Sequence, residues 1–197
     1  MRKLILLTFL FVSCGSLNLN KKSEYVEIPR DIIAILPFDN NSNDITAETL
    51  LRDLVAKGFE RKGFVVIKNE IVDEKLKTIG ISDGGQLKAV NPGAISELLG
   101  VRYLLYGTIN DFKLQNIGYI VKKKVELEVK IIDTQNNNQE IFNQTGEGSD
   151  LKVFLKSDEA KKAFIEYNAL KLVENIMKRP LYNESKEAVD SILSKIR

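Results

Sequence analysis

The stretch LLGVRYLLYGTI at residues 98–109 decides the fold, because it joins the end of a helix to a continuous apolar strand. The helix is predicted over residues 92–99, where Asn91 is a suitable N-cap and Gly100 a suitable C-terminal cap. Residues 101–109 are too continuously apolar to belong to a strand with one face in water. We therefore predict that they form a central strand of a sheet.

A strand-helix-strand unit is predicted upstream of this segment. Residues 31–38 (DIIAILPF) are a short apolar run that stops at a polar loop, which indicates a buried strand. A helix follows, with Asn43 or Asp44 as its N-cap and Gly63 just past its end. Residues 64–67 then return as a strand, and a crossover of this size implies a parallel pair. The helical stripe consists of Ile45, Leu50, Leu51, Leu54, Val55 and Phe59.

Downstream, the pattern changes to that of an antiparallel hairpin. In residues 120–133 the apolar side chains alternate with Lys and Glu, which is typical of a strand with one buried and one wet face. The asparagine-rich turn at residues 133–138 tolerates positive φ, and residues 140–145 return as a last strand. We predict that this long hairpin closes the sheet.

Helices complete the predicted domain. A short amphipathic helix is predicted over residues 70–80, a strong helical stripe over residues 160–177, and another helix over residues 188–196. The predicted fold class is α/β, with a single domain at residues 30–197. In it, a mixed sheet of about five strands packs with helices and ends in a C-terminal helical segment.

The N-terminus resembles a bacterial lipoprotein signal. Arg2 and Lys3 precede an apolar run at residues 4–12, which is far shorter than the roughly 20 residues that a membrane-spanning helix needs. Small residues and Cys14 follow directly. We predict that residues 1–13 are a signal peptide and that Cys14 is the lipid attachment site. The alternative is a buried free thiol, but a cysteine at this position has no core around it.

Residues 14–29 are polar and aperiodic, which predicts a lipidated N-terminus and a flexible tether. Loss of Arg2 and Lys3 with the signal peptide lowers the formal net charge from +2 to zero. A neutral chain has no electrostatic reason to bind nucleic acid. We interpret the lysine run at residues 122–124 as the solvated start of a strand or as an edge strand blunted by lysine.

The composition argues against the common catalytic chemistries. The chain has no His, which is the most frequent general base and metal ligand. It also lacks a nucleophile elbow, metal-ligand spacing and an isolated carboxylate pair. Gly84 and Gly85 lack the other residues of a phosphate-binding loop, so turn geometry is the better interpretation. We predict no catalytic residue, no metal and no cofactor, and the alternative is a carboxylate-based envelope enzyme.

Short motifs carry a resemblance to a known family. They are IAILPF at residues 33–38, VNP at residues 90–92, the stretch at residues 98–109, and Ile132-Asp133 with Phe142 beyond the turn. They resemble a family of bacterial lipoproteins that is similar to the curli-secretion lipoprotein CsgG and to the N-terminal domain of TolB. The resemblance implies an α/β domain on the periplasmic side of the outer membrane, without established enzymatic activity.

The chain departs from this family at Arg102, where Asp is usual, and at Asn137 or Asn138, where the turn usually has Gly. We predict a non-enzymatic lipoprotein of the outer membrane that binds or assembles envelope components. Its partners would be membrane lipid, through acylated Cys14, and companion lipoproteins or further copies of itself. The alternative is a subunit or accessory of a CsgG-like secretion assembly, in which residues 121–132 would supply a lipid-facing strand.

Overall fold

The computed structural model describes residues 25–117, 120–153 and 181–197, together with residues 158, 161, 162, 165 and 166. The sheet has six strands in the order β3-β1-β4-β5-β6, with β2 paired to β4. The strands are β1 (Ile32–Ile35), β2 (Asp39–Asn40), β3 (Val65–Val66), β4 (Tyr103–Ile117), β5 (Ile120–Asp133) and β6 (Gln139–Val153). The helices are α1 (Ala47–Arg61), α2 (Asn69–Lys77), a 3-10 helix (Gly84–Ala89), α3 (Pro92–Leu99) and α4 (Tyr182–Leu193).

The predicted strand-helix-strand unit forms from β1, α1 and β3, and its two strands are parallel. Such a connection needs a crossover of about a dozen residues or more, which α1 supplies. On its other side β1 is parallel to β4, with Ala34 paired to Leu104 and Ile35 paired to Leu105. The start of β4 is therefore a central strand, as its continuous apolar pattern predicts.

Helix α1 begins at a different cap from the one predicted. Its N-cap is Thr46, not Asn43 or Asp44. Oδ1 of Asp44 instead accepts hydrogen bonds from the backbone N–H of Thr46 at 2.8 Å and from its hydroxyl at 2.6 Å. At the other end, Gly63 has a φ of +90°. This left-handed conformation is easily adopted by glycine after a helix and confirms the predicted stop.

Helix α3 has the predicted bounds and caps. The Asn91 side chain accepts a hydrogen bond from the N–H of Gly93 at 2.8 Å, and Pro92 occupies the first turn, where no backbone donor is needed. Gly100 ends the helix with a φ of +74°. The local sequence therefore specifies where this helix stops and where β4 begins.

Strand β4 is longer than the sequence predicts. It continues to Ile117 instead of ending at Ile109. A register shift against β5 lies between Ile109 and Asp111. Such a bulge absorbs one residue, Asn110, and lets the ladder continue beyond the continuously apolar stretch.

Strand β6 also continues past the predicted range and ends at Val153. Its extension contains Gly146 and Gly148, and glycine is depleted in ordinary strands. A Cβ at Gly146 would overlap the carbonyl oxygen of Ala188, and one at Gly148 would overlap that of Glu184. Helix α4 thus lies with its backbone directly on the strand. The two glycines make residues 146–148 look unlike a strand in the sequence, but the close contact with α4 requires them.

Two apolar clusters pack on the two faces of the sheet around β1. One cluster contains Ile35 and Leu105 and includes side chains of α1 and α4. The other contains Ala34 and Leu104 and includes side chains of α2 and α3. Along the hairpin only the first cluster continues, through alternate residues of β5: Val125, Leu127, Val129 and Ile131. Within the described residues, the sheet is therefore covered on both faces near β1 and on one face along the hairpin.

The C-terminal segment returns to the start of the described chain. The predicted helix at residues 160–177 lies outside the described residues, apart from a few isolated helical positions. The last predicted helix is α4, which begins earlier than predicted, at Tyr182. Beyond it, the N–H of Val26 donates to the carbonyl of Lys195 at 2.9 Å, and the N–H of Arg197 donates to the carbonyl of Val26 at 3.2 Å. These bonds hold the chain to the domain from Val26 onward.

Candidate functional site

The candidate site lies where the parallel strands end. After β1 the chain passes through Pro37 into β2, which pairs with β4 so that Asp39 lies opposite Thr108. From β1 the chain leads to α1 and β3 on one side, whereas β4 leads to β5 on the other. Ligands of open α/β sheets bind outside the carboxyl ends of the strands at such a reversal. Two adjoining clefts occupy this position.

The first, which we call the polar cleft, has a volume of about 400 Å³. It is bordered by the connection between β1 and β2, the start of α1 and the C-terminal half of α2. Ile45, at its rim, is 90% exposed immediately before α1. The charged lining side chains include Asp39, Glu48, Arg52 and Asp73.

Arg52 is the buried cation of the polar cleft and is only 4% exposed. Its Nε and Nη2 donate to the carbonyl of Ile35, the last residue of β1, at 3.2 and 2.9 Å. Nη1 and Nη2 also contact the Asp73 carboxylate of α2, at 3.0 and 2.7 Å. An unpaired buried guanidinium would be costly, so these bonds fix α1, β1 and α2 relative to one another.

Glu48 is the acidic residue of this cleft whose pKa is shifted. Its Oε1 accepts a hydrogen bond from the N–H of Phe38 at 3.4 Å and lies 3.6 Å from Nη1 of Arg52. Burial raises the pKa of the Glu48 carboxyl, although Arg52 opposes the rise. Because the chain has no His and its one Cys is Cys14, Glu48 has no nucleophile or relay partner of those types.

The second cleft, which we call the apolar groove, has a volume of about 290 Å³ and runs across β4 and β5 beside α3. Oη of Tyr106 is buried there without a hydrogen-bond partner among the described residues. Burial raises the pKa of Tyr106 to about 12, so the hydroxyl stays neutral. Buried hydroxyls usually find a partner, so an orphan hydroxyl in the wall of a cleft is unusual. The apolar lining includes Pro37, Leu87, Val90 and Ile132.

Gly84 stands between the two clefts and lines both. A Cβ at this position would overlap the backbone of Phe38 and Asp39, so only glycine allows this close approach. The N–H of Gly85 donates to Oδ1 of Asp83 at 2.6 Å. The predicted turn is thus the capped start of a 3-10 helix, and packing and capping account for both glycines.

The lysine run at residues 122–124 is not a continuous basic patch. Lys123 lies 3.4 Å from Glu184 of α4, and Lys124 lies 2.6 Å from Glu126. Strand β5 is paired on both sides, so the interpretation as an edge strand blunted by lysine is wrong. Two of the three charges are matched within the fold itself.

Arg102 binds Asp133 in a two-pronged ion pair. Its Nε donates to Oδ1 at 2.8 Å and its Nη2 to Oδ2 at 2.6 Å. The hydrogen bond from Arg102 holds the pKa of the Asp133 carboxyl below its usual value. The pair joins the start of β4 to the end of β5. In the following turn, Asn137 and Asn138 have φ of +54° and +57°, as the turn composition predicts.

Other predicted site features have different outcomes. Cys14 lies outside the described residues, so its lipidation stays a prediction. Across the described part of the chain, no group of His, Cys, Asp and Glu could hold a metal ion. Within those same residues, no helix is long and apolar enough to cross a membrane.

Sequence reasoning missed the residues that shape the clefts. Glu48 and Arg52 have the spacing of an exposed helical ion pair, and Tyr106 looks like core inside an apolar strand. The available signal was position, because these residues follow or flank parallel strands whose carboxyl ends meet. The burial of Arg52 depends on α2, which is distant in sequence.

The chain has relatives among known families and structures. A family model described as "Putative lipoprotein GNA1162-like" matches residues 22–193. The crystal structure of lipoprotein GNA1162 from Neisseria meningitidis is similar, with a TM-score of 0.58 and 17% identity over 74% of this chain and 99% of that chain. The hypothetical protein CT253 from Chlamydia trachomatis gives a TM-score of 0.50 and 11% identity over 84% and 95%. No curated protein matches the sequence.

At these identities the structural likenesses show the fold alone, whereas the family model covers most of the chain. The prediction of a bacterial lipoprotein family is confirmed, and the similarity to CsgG and TolB stays a prediction. Because the family model matches residues 22–193, this chain belongs to the GNA1162-like lipoprotein family.

Proposed function

We propose that the protein is a non-enzymatic envelope lipoprotein that acylated Cys14 holds in the outer membrane, on the periplasmic side, where it binds or assembles other envelope components. The domain layout is part of the proposal: a signal peptide at residues 1–13, a lipidated tether at residues 14–29 and the α/β domain at residues 30–197. The observation that carries it is membership of a lipoprotein family by a chain whose single cysteine directly follows an apolar N-terminal run.

The tether limits where the domain can work. The domain is bonded to its own C-terminal segment from Val26 onward. Fully extended, the chain between Cys14 and Val26 spans at most about 40 Å. A lipid at Cys14 would therefore hold the start of the domain, at Val26, within about 40 Å of the membrane surface.

The clefts support a binding role. The apolar groove has the orphan hydroxyl of Tyr106 in its wall together with charged lining residues such as Lys88 and Glu140. The polar cleft carries the exposed side chain of Ile45 at its rim. An apolar cleft with a few convergent polar groups is the usual form of a recognition site. We infer that a protein segment with both apolar and polar groups binds across the two clefts.

Lipidation is tested by replacing Cys14→Ser, with Ser16→Ala as the matched control, and growing cells with labelled palmitate. We expect the control to incorporate label and to sediment with the outer membrane, and the Cys14→Ser variant to do neither. Undiminished labelling, or full retention in the outer-membrane fraction, would show that Cys14 is not the anchor.

Binding is tested by capturing the full lipoprotein from detergent-solubilised envelopes and measuring the mass of the complex. Tyr106→Phe and Ile45→Glu should lower partner recovery by roughly tenfold, equivalent to about 1.4 kcal/mol. Glu187→Ala, at an exposed position of α4 on the opposite face of the sheet from the apolar groove, should not. Equal recovery from all variants would exclude the clefts as the binding site. A large complex of many copies would favour the alternative, a secretion assembly.

A further inference from the structure

Strand β6 is a long sheet edge. It ends the strand order and pairs only with β5 among the described residues. No described backbone group bonds to its outer side. Natural edge strands are usually short, bulged or interrupted by proline, because a bare edge recruits another strand. β6 has 15 residues and contains no proline, and its one register shift, at Ile141, lies near its start, away from the end at Val153.

The far end of this edge is apolar as well as open. Leu151 is 62% exposed and Val153 is 55% exposed. Val153 is paired with Ile120 of β5, which is 38% exposed, so the three side chains share one face of the hairpin. Clustered apolar exposure of this kind marks a contact surface. The strand therefore offers both hydrogen-bonding groups and apolar area at the same place.

The sequence of this end is complementary to itself. Leu151 and Val153 point to the exposed face, and Asp150 and Lys152 point to the face that carries α4. We propose that two copies of the chain pair antiparallel through the end of β6, residues 149–153, with Leu151 facing Leu151 of the second copy on a two-fold axis. Each Asp150 then lies opposite Lys152 of the other copy.

Neighbouring registers are disfavoured by charge. An axis moved by one residue places Asp150 opposite Asp150, or Lys152 opposite Lys152, and like charges directly opposite in a sheet are destabilising. In the proposed register, opposite charges meet twice and the central leucines meet once. The occupant of the edge is thus a second copy, whatever the identity of the partner in the clefts.

Cysteine cross-linking tests the register in the intact lipoprotein. Directly opposite Cβ atoms in a sheet lie about 4.5–5.5 Å apart, which is near the distance that a disulfide bridges. Leu151→Cys should convert most of the chain into a disulfide-linked dimer on non-reducing gels. Because the chain has no cysteine besides Cys14, such a dimer can be assigned to the new cysteine. Thr145→Cys, on the same strand and face, should stay monomeric, as should the parent.

Charge exchange provides the second measurement. In the Leu151→Cys background, Lys152→Asp should lower the dimer yield several-fold, and adding Asp150→Lys should restore it. Unchanged thermal unfolding of each variant confirms that folding is not the cause. The proposal is overturned if Leu151→Cys forms no more dimer than Thr145→Cys, or if Lys152→Asp leaves the yield unchanged. Both outcomes are independent of lipidation, because a Cys14→Ser chain can be tested in the same way.

Discussion

The two ends of β4 lie in different environments. Its first residues lie beside β1 and carry apolar clusters on both faces, so that Leu104 and Leu105 are each fully buried. Its later part lies in the hairpin, where α4 covers one face and the described residues leave the other open. One strand thus changes from continuous burial to alternation within its own length. The number of covering layers, more than strand propensity, decides which sequence pattern a strand shows.

The largest expected effect tests the double cover around β1. Leu104→Ala and Leu105→Ala should each lower the free energy of unfolding by about 2–5 kcal/mol, because each leaves a cavity in a different packed cluster. That is a large share of a total stability of about 5–15 kcal/mol. Urea melts of the purified protein measure both changes. Glu128→Ala, on the open face of β5, is the control and should stay within about 0.5 kcal/mol.

The two leucine variants test the two apolar clusters separately, because Leu104 and Leu105 lie on opposite faces of the sheet. If Leu104→Ala costs no more than Glu128→Ala, α2 and α3 do not cover the sheet in solution. If only Leu105→Ala is harmless, the cluster shared by α1 and α4 is not packed. Either result would remove the distinction between the two regions.

The second effect tests the single cover of the hairpin. Gly146→Ala adds a methyl group where the Ala188 carbonyl of α4 already lies. Forcing α4 away from β6 should cost about 1–3 kcal/mol, as overpacking usually does. Thermal unfolding measures the loss, with Thr145→Ala as the exposed control on the same strand. An unchanged Gly146→Ala variant would mean that α4 is not seated on β6.

These two regions also differ in how far the sequence predicts them. Helix α3 and the start of β4 are fixed by local signals at Asn91 and Gly100, and the structure matches them closely. The predicted range of β5 matches the structure, whereas β6 is longer than predicted, because Gly146 and Gly148 make sense only with α4 above them. That contact joins residues distant in sequence, so no local pattern reports it.

The candidate site was less predictable than the fold, for the same reason. Arg52 is buried by β1 and by Asp73 of α2, and the Tyr106 hydroxyl is orphaned by packing beside α3. Each depends on elements that meet only after folding. The predicted positive φ at Asn137 needed only the local composition of a turn.

A smaller effect tests the ion pair that joins the two regions. Asp133 has a lowered pKa because Arg102 hydrogen-bonds to its charged form. An acid whose pKa is lower in the folded state than in the unfolded state stabilises the fold at pH values above its unfolded pKa. That contribution is lost as the pH falls through the pKa of the folded state. Arg102→Gln should therefore lower the Tm at pH 7, by less than Leu104→Ala does, and the difference from the parent should shrink below about pH 4. A pH-independent difference would mean that the charge of Asp133 is not involved.

The smallest effect concerns the turn of the hairpin. Asn137 is exposed and has a φ of +54°, so its contribution is that of its backbone conformation. A left-handed residue with a Cβ costs about 1–2 kcal/mol, which glycine avoids and asparagine partly offsets. Asn137→Ala should thus lower the free energy of unfolding by about 1 kcal/mol, whereas Asn137→Gly should leave it equal or slightly higher. Urea melts of the two variants decide the point. If alanine and glycine behave alike, the turn is not left-handed at this residue, and the register that it sets between β5 and β6 needs another cause.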